Sequence, residues 1–229
     1  MIYKQKKLKV AAVIFDLDGT LIDSIDIYFM IVEKALEKLN LPAVSRGRIL
    51  AAAETEEFNW ELVLPQEVLC RREKIIDEVW AVINAIAPQM FAGNLDLIQG
   101  AERIVENLSS NGLKIGLVTS TQQRYLETKM QPLKNACVDT LFEAIVTSDD
   151  VEKRKPAPDP LINCAKQLAI KPGSCVYVGD TATDIKAGKA AGMLTIGVLT
   201  GFDEYEILEK ENPDAIMESV RNLLEVIDV

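Results

Sequence analysis

The stretch Val10-Ala11-Ala12-Val13-Ile14-Phe15-Asp16-Leu17-Asp18-Gly19-Thr20 sets six apolar residues directly before two carboxylates and a glycine. A short, unbroken apolar run closed by turn residues is the pattern of a strand buried on both faces. Runs of the same kind recur at residues 114–118, 144–147, 174–178 and 194–198, each leading through a loop into a helical pattern. Strands alternating with helices predict an α/β fold: a Rossmann-like parallel sheet with helices on both faces. The helices are expected at about 100–110, closed by Asn111-Gly112, at 122–130 before Pro132, and at 158–168, 183–191 and 216–227.

One region breaks this rhythm. From about Ile22 to Ala92 the apolar spacing is helical and no strand is legible. Tyr28, Ile31, Val32, Ala35, Leu36 and Leu39 follow the capping pair Asp23-Ser24, and Ile75, Ile76, Val79, Trp80, Ile83 and Ile86 repeat the pattern before Pro88. The expectation is an all-helical cap domain, residues 22–92, inserted into a core formed by residues 1–21 and 93–229. Its linkers, near 21–24 and 88–99, would act as hinges.

Composition narrows the chemistry. The 229 residues carry 25 Lys plus Arg against 35 Asp plus Glu, a formal charge of −10, and no histidine. That length and a 48% hydrophobic content suffice for a real core. Without histidine, Ser-His-Asp and Cys-His catalysis and histidine-ligated zinc are excluded, leaving carboxylates, Lys, Tyr or Cys for proton transfer. The acidic balance argues against a nucleic-acid groove, which needs clustered Lys and Arg; the basic run Lys4, Lys6, Lys7 and Lys9 reads as a solvated extension. No stretch reaches the 18 or so apolar residues of a membrane span, and residues 10–15 are too short for a signal peptide. Cys70, Cys137, Cys164 and Cys175 show no CxxC spacing and read as buried thiols of a reducing cytoplasm.

The chemistry-bearing residues fall at strand ends. A DxDGT string is expected by chance in a chain of this length with a probability on the order of 10⁻³, and ligands of open parallel sheets bind outside the carboxyl ends of strands. Other strands end in Thr119-Ser120-Thr121, lead through residues 148–154 to Lys155-Pro156, and end in Gly179-Asp180-Thr181-Ala182-Thr183-Asp184. Taken singly, Thr119 reads as a turn or cap residue, Lys155 as a surface lysine and Asp180 as a helix N-cap. Together they bring a hydroxyl, an ammonium and several carboxylates to one sheet edge. Clustered carboxylates repel, and a hard dication with oxygen ligands relieves the repulsion; Mg²⁺ suits one or two carboxylates, waters and a substrate phosphate. Such a set is a phosphoryl-transfer site.

Four motifs in this order resemble the haloacid dehalogenase superfamily, specifically its phosphatase branch with a helical cap after the first motif. They are Asp16 to Thr20, the hydrophobic run Ile115 to Thr119, Lys155 within Lys155-Pro156-Ala157-Pro158, and Gly179 to Asp184. The resemblance implies that Asp16 is the nucleophile, forming an aspartyl-phosphate, and that Asp18 is the general acid and then base. It implies Thr119, Ser120 and Lys155 as the phosphate-binding residues, with backbone amides beside Asp16 and after Thr119. It implies Mg²⁺ held by Asp16, the backbone carbonyl of Asp18, and Asp180, with Asp184 close by or acting through water. The cap would close over the site and exclude water.

Within the superfamily, Asp18 argues against dehalogenases and against phosphonoacetaldehyde hydrolases, which resemble DxAGT. Sugar phosphomutases of the β-phosphoglucomutase type carry a histidine where this chain has Tyr28, so hydrolysis is favoured. The remaining alternatives are a phosphomutase or pyrophosphatase and, outside enzymes, a phospho-receiver or binding module; a compact receiver has no place for the helical insertion. The overall pattern resembles phosphoglycolate phosphatase and pyrophosphatase-like members, and the expected partner is a small phosphorylated metabolite, with oligomeric state unspecified. The substrate-contacting cap loop of many relatives contains a glycine absent from Ala51-Ala52-Ala53-Glu54-Thr55-Glu56-Glu57, so specificity is not carried over. Glu54, Glu56, Glu57 and Glu61 read as a solvated helix face.

Overall fold

A computed structural model describes residues 7–53 and 58–228. Lys4 and Lys6, and Glu54, Glu56 and Glu57 of the acidic run, lie outside the described residues; Glu61 is exposed and pairs with Arg72. In chain order the elements are β1 (Leu8–Lys9), β2 (Ala12–Phe15), β3 (Ile22–Asp23), α1 (Ile25–Lys38), α2 (Arg46–Ala53), α3 (Arg72–Phe91), β4 (Asp96–Leu97), α4 (Ala101–Ser110) and β5 (Lys114–Val118). There follow α5 (Gln123–Lys129), α6 (Gln131–Asn135), β6 (Ala144–Val146), α7 (Asp159–Gln167), β7 (Cys175–Gly179), α8 (Ala182–Ala190), β8 (Leu194–Val198), α9 (Tyr205–Lys210), β9 (Ala215–Met217) and β10 (Ile227–Asp228).

The chain divides into two compact units, Met1–Asp23 with Asp96–Val229, and Ser24–Leu95. The first holds a six-stranded, all-parallel sheet in the order β6-β5-β2-β7-β8-β9. Every residue of β2 is fully buried, as expected of a central strand covered on both faces. Ile14 packs with Val118, Val146, Leu161, Cys164 and Tyr177 in one core cluster that includes much of α7. The chain builds outward from β2 to β5 and β6, then crosses to build β7, β8 and β9 on the other side. The direction of winding therefore reverses at β2, the kind of switch point outside whose strand carboxyl ends ligands of open parallel sheets bind.

The second unit is helical. The face of α1 bearing Ile27, Ile31, Val32, Ala35 and Leu36 is buried, and α1 packs against α3. Trp60 and Trp80 meet edge to face at 5.5 Å between ring centroids. These two packed helices account for the periodic stripes of residues 28–39 and 75–86.

Four expectations need correction. The helix expected at 216–227 does not form: Ala215–Met217 adds a sixth parallel strand beside β8, and Val220–Glu225 makes a 3₁₀ turn. Its apolar spacing fits a helix, but the open edge of β8 offers backbone partners that a surface helix would leave unused. α3 runs through Pro88 to Phe91, because Ile83, Ala87 and Phe91 continue its buried stripe and the Pro88 carbonyl still accepts from Ala92 N–H at 3.1 Å. Ile22–Asp23 is a short strand, pairing antiparallel with Asp96–Leu97. Finally, only Cys164 and Cys175 are buried; Cys70 and Cys137 are exposed.

Candidate functional site

Three parallel strands deliver the first residues of the site. Asp16 follows β2 and is locked in register by its N–H, which donates to the Val178 carbonyl at 2.8 Å. Thr119 follows β5, with its N–H donating to Val146 O at 2.9 Å. Asp180 follows β7. Asp184 arrives one helical turn later, as the third residue of α8, in a capping box: the Thr181 hydroxyl accepts from Asp184 N–H, and Asp184 Oδ2 accepts from Thr181 N–H. The N-cap of this helix is therefore Thr181, and Asp180 is left to face the site.

At the centre lies Lys155, 9% exposed, which the sequence taken singly reads as a surface lysine. Its ammonium donates to Asp16 Oδ1 at 2.7 Å and to Asp184 Oδ1 at 2.6 Å, and lies 3.0 Å from the Tyr177 hydroxyl. Tyr177 OH stands 3.0 Å from Asp184 Oδ1 and 3.3 Å from the Val118 carbonyl. Asp180 is held differently: Phe202 N–H donates to its Oδ2 at 2.9 Å, and Thr20 Oγ1 lies at 3.4 Å from Oδ1. Asp16, Asp180 and Asp184 are each buried, and each offers an oxygen within 4.8 Å of the others.

Burial and like charge act on these groups together. Burial raises the Asp16 pKa to about 7, although Lys155 opposes the shift. Burial, then the charges of Asp184 and Asp16, push Asp180 well above the usual carboxylate range. Burial also works against the Asp184 carboxylate, but the Lys155 ammonium and bonds from Thr181 and Tyr177 override it, and its pKa falls below the ordinary value. Burial likewise disfavours charged Lys155, yet Asp16 and Asp184 lift it well above the normal lysine value. Three carboxylates facing one ammonium leave two formal negative charges in a low-dielectric site. An all-oxygen donor set with that residual charge fits a hard dication, and the unfavourable ionisation of Asp180 marks what such an ion would relieve.

Asp18 stands apart from this cluster. Lys129 Nζ donates to both of its carboxylate oxygens, at 2.7 and 2.8 Å, and the Thr121 hydroxyl donates to Oδ2 at 2.9 Å. Thr121 N–H in turn donates to Thr119 Oγ1 at 3.0 Å. Thr119, Ser120, Thr147, Ser148 and Lys155 line a small cavity beside the cluster. The structure thus brings Asp16, Lys155, Asp180 and Asp184 into one buried network, with Thr119 and Ser120 at its edge and the Asp18 side chain turned to a second lysine.

Sequence reasoning placed Thr121 at its strand end without a role, and missed Lys129, Tyr177 and Gly201. Lys129 reads as an ordinary last-turn lysine of α5, and Tyr177 as one more apolar strand residue. Gly201 follows a strand end, which was its one signal. A Cβ at Gly201 would stand 1.8 Å from Asp180 Oδ2, and one at Gly19, where φ is +72°, 2.6 Å from the same atom. Gly201→Ala is therefore expected to destabilise the fold by about 1–3 kcal/mol through overpacking. A urea midpoint equal to wild type would contradict that close approach.

Residues 13–198 match the haloacid dehalogenase-like hydrolase family. Over an alignment of 240 positions, gaps included, the chain is 30% identical to the phosphoglycolate phosphatase of Shigella boydii serotype 4 (strain Sb227), and 29% identical to that of Escherichia coli (strain K12). Each alignment covers 94% of this chain and 91% of the relative. A crystal structure described as "a predicted phosphoglycolate phosphatase" from Haemophilus somnus 129PT superimposes with a TM-score of 0.83 at 19% identity, covering 96% of this chain and 98% of that one. This likeness shows the shared fold, a Rossmann-like core with a helical cap, while the family match spans the strands and loops that carry the acidic network. The chain belongs to the haloacid dehalogenase-like hydrolase family.

Proposed function

We propose that this protein is a Mg²⁺-dependent phosphomonoester hydrolase of the phosphoglycolate phosphatase type, working through an aspartyl-phosphate on Asp16. The observation that supports it most is the contrast between two carboxylates only two residues apart. The Asp16 side chain is 8% exposed and sits against Lys155 among the acidic cluster, whereas the Asp18 side chain is 23% exposed and is held by other groups. Neighbouring carboxylates in contrasting environments can divide nucleophilic and acid/base work.

In this reading Asp16 attacks phosphorus, forming an O–P bond as the bond to the leaving alcohol breaks, and Asp18 gives that alcohol its proton. Water then attacks the phosphorylated Asp16, with Asp18 taking the proton, and phosphate leaves. Thr119, Ser120 and Lys155 hold the transferring group; Lys155 also keeps Asp16 oriented and partly neutralised until substrate enters. Asp16, Asp180, Asp184 and the Asp18 backbone carbonyl are the groups that would hold Mg²⁺. When bound, the ion would draw charge from the phosphoryl oxygens and ease the approach of an anionic nucleophile. The helical unit is read as a cap with hinges near 21–24 and 88–99. Limited proteolysis there should slow when a phosphate mimic and Mg²⁺ are added, and unchanged cleavage would remove that role.

The direct test is phosphate release across a panel of phosphorylated small metabolites that includes phosphoglycolate, with Mg²⁺ present. Hydrolysis of at least one phosphomonoester supports the reading; release from none of them, aryl phosphates included, overturns it. The cation has its own test in stability. Asp16 and Asp180 have folded pKa values above their unfolded ones, so their contribution to stability is fully present below about pH 4 and is lost as the pH rises through about 7 for Asp16. Mg²⁺ should therefore raise the melting temperature more at pH 8 than at pH 5.5, where a proton already neutralises Asp16. Equal gains at both pH values would detach the ion from these carboxylates.

A further inference from the structure

Asp18 is held from both sides by residues that the four motifs do not include. Lys129 is the last residue of α5, and its side chain, 11% exposed, turns back to grip both carboxylate oxygens of Asp18. Its ammonium also lies 3.1 Å from Thr121 Oγ1, which donates to Asp18 Oδ2. Through Thr121 N–H and Thr119 Oγ1 the chain of bonds reaches the end of β5. One carboxylate is thereby fixed between the loop after β2 and the helix after β5.

We propose that Lys129, assisted by Thr121, is the positioning residue that aims the Asp18 carboxyl group at the leaving-group oxygen. The inference rests on the phosphatase reading above and adds to it the residue that sets where its acid/base group points. Lys129 touches neither phosphorus nor the leaving group and keeps its own protons throughout. In the first half-reaction the Asp18 proton passes to the alcohol oxygen as its bond to phosphorus breaks and the Asp16–phosphorus bond forms. Asp18 is left as a carboxylate, which the two donors hold in place. In the second half, water attacks phosphorus, the Asp16–phosphorus bond breaks, and the proton of that water returns to the same Asp18 oxygen. A carboxylate free to rotate about two side-chain torsions would spend much of its time aimed elsewhere, and small misplacements of a reacting group are costly.

Geometry of this kind predicts a leaving-group signature. Protonation matters greatly when an alkoxide departs and little when p-nitrophenolate does, because the latter is stable without a proton. Lys129→Met is expected to lower kcat/KM on an alkyl phosphate roughly tenfold more than on p-nitrophenyl phosphate. Lys129→Arg, which restores a cationic donor pair, should recover most of the loss, and Thr121→Val should show the same bias more weakly. In an Asp18→Asn background, Lys129→Met should cost nothing further, since the group it aims is gone.

Equal losses on both esters, or an additive loss in the Asp18→Asn background, would show Lys129 to be a structural tie and overturn the proposal. If Lys129→Met does not fold, Thr121→Val, which removes the other donor to Asp18, decides the question by the same ratio. A wild-type protein that cleaves neither ester removes the phosphatase reading together with this one. Wild-type and Asp18→Asn behaviour as expected, with no bias from Lys129→Met, removes this one alone.

Discussion

Replacing Asp16 by Asn is expected to abolish turnover, lowering kcat on any phosphomonoester by on the order of 10⁴–10⁶-fold. An amide has no ionised oxygen to form the O–P bond, and no histidine exists in the chain to take over the attack. The fold should survive, because Lys155 keeps its bonds to Asp184 and Tyr177 and one buried like charge disappears. The paired measurement is acid-quenched mass spectrometry during turnover, which should place a phosphoryl group on the peptide carrying Asp16 in the wild type and nowhere in the variant. Wild-type-like hydrolysis by Asp16→Asn, or an adduct on another residue, would refute the nucleophile.

The largest stability effect should come from Lys155→Met. Lys155 is the cation in contact with both Asp16 and Asp184, and its loss strands carboxylates where water cannot reach them. Removing one partner of a buried ion pair costs about 3–5 kcal/mol. The sign of the pH dependence follows from the carboxylates left behind. Losing Lys155 also removes the influence that lowers Asp16, so its pKa rises further and the penalty grows as the pH climbs to 8 and above. At pH 5, below its raised pKa of about 7, a proton neutralises it and the penalty shrinks. Urea unfolding at the two pH values measures the difference, and Mg²⁺ at pH 8 should restore part of the stability by standing in as counter-charge. A loss independent of pH would mean that the ion-pair network does not govern the stability of this region.

Much of this was legible because it rests on local chemistry. The strands at 114–118 and 194–198 read correctly to the residue, since an unbroken apolar run between turn signals has few other solutions. The carboxylates of DxDGT and GDxxxD were visible for a related reason: polar groups immediately after buried strands have to sit at a sheet edge. What stayed hidden was non-local. The 216–227 segment has the spacing of a helix, and only the free edge of β8, contributed from some twenty residues earlier, made part of it a strand. Lys129 stands 111 residues from Asp18 and Phe202 22 from Asp180, and neither pairing leaves a mark in its own neighbourhood.

The amino-acid sequence by itself determined the alternation of strands and helices, the helical insertion, and which residue types arrive at the carboxyl ends of the strands, because periodicity, turn chemistry and the absence of histidine all act over short distances. Tertiary structure alone decided the electrostatics. Whether a lysine is a surface group or the buried counter-ion of two aspartates, and which carboxylate is raised or lowered in pKa, depends on dielectric and on distances of a few ångströms between segments far apart in the chain.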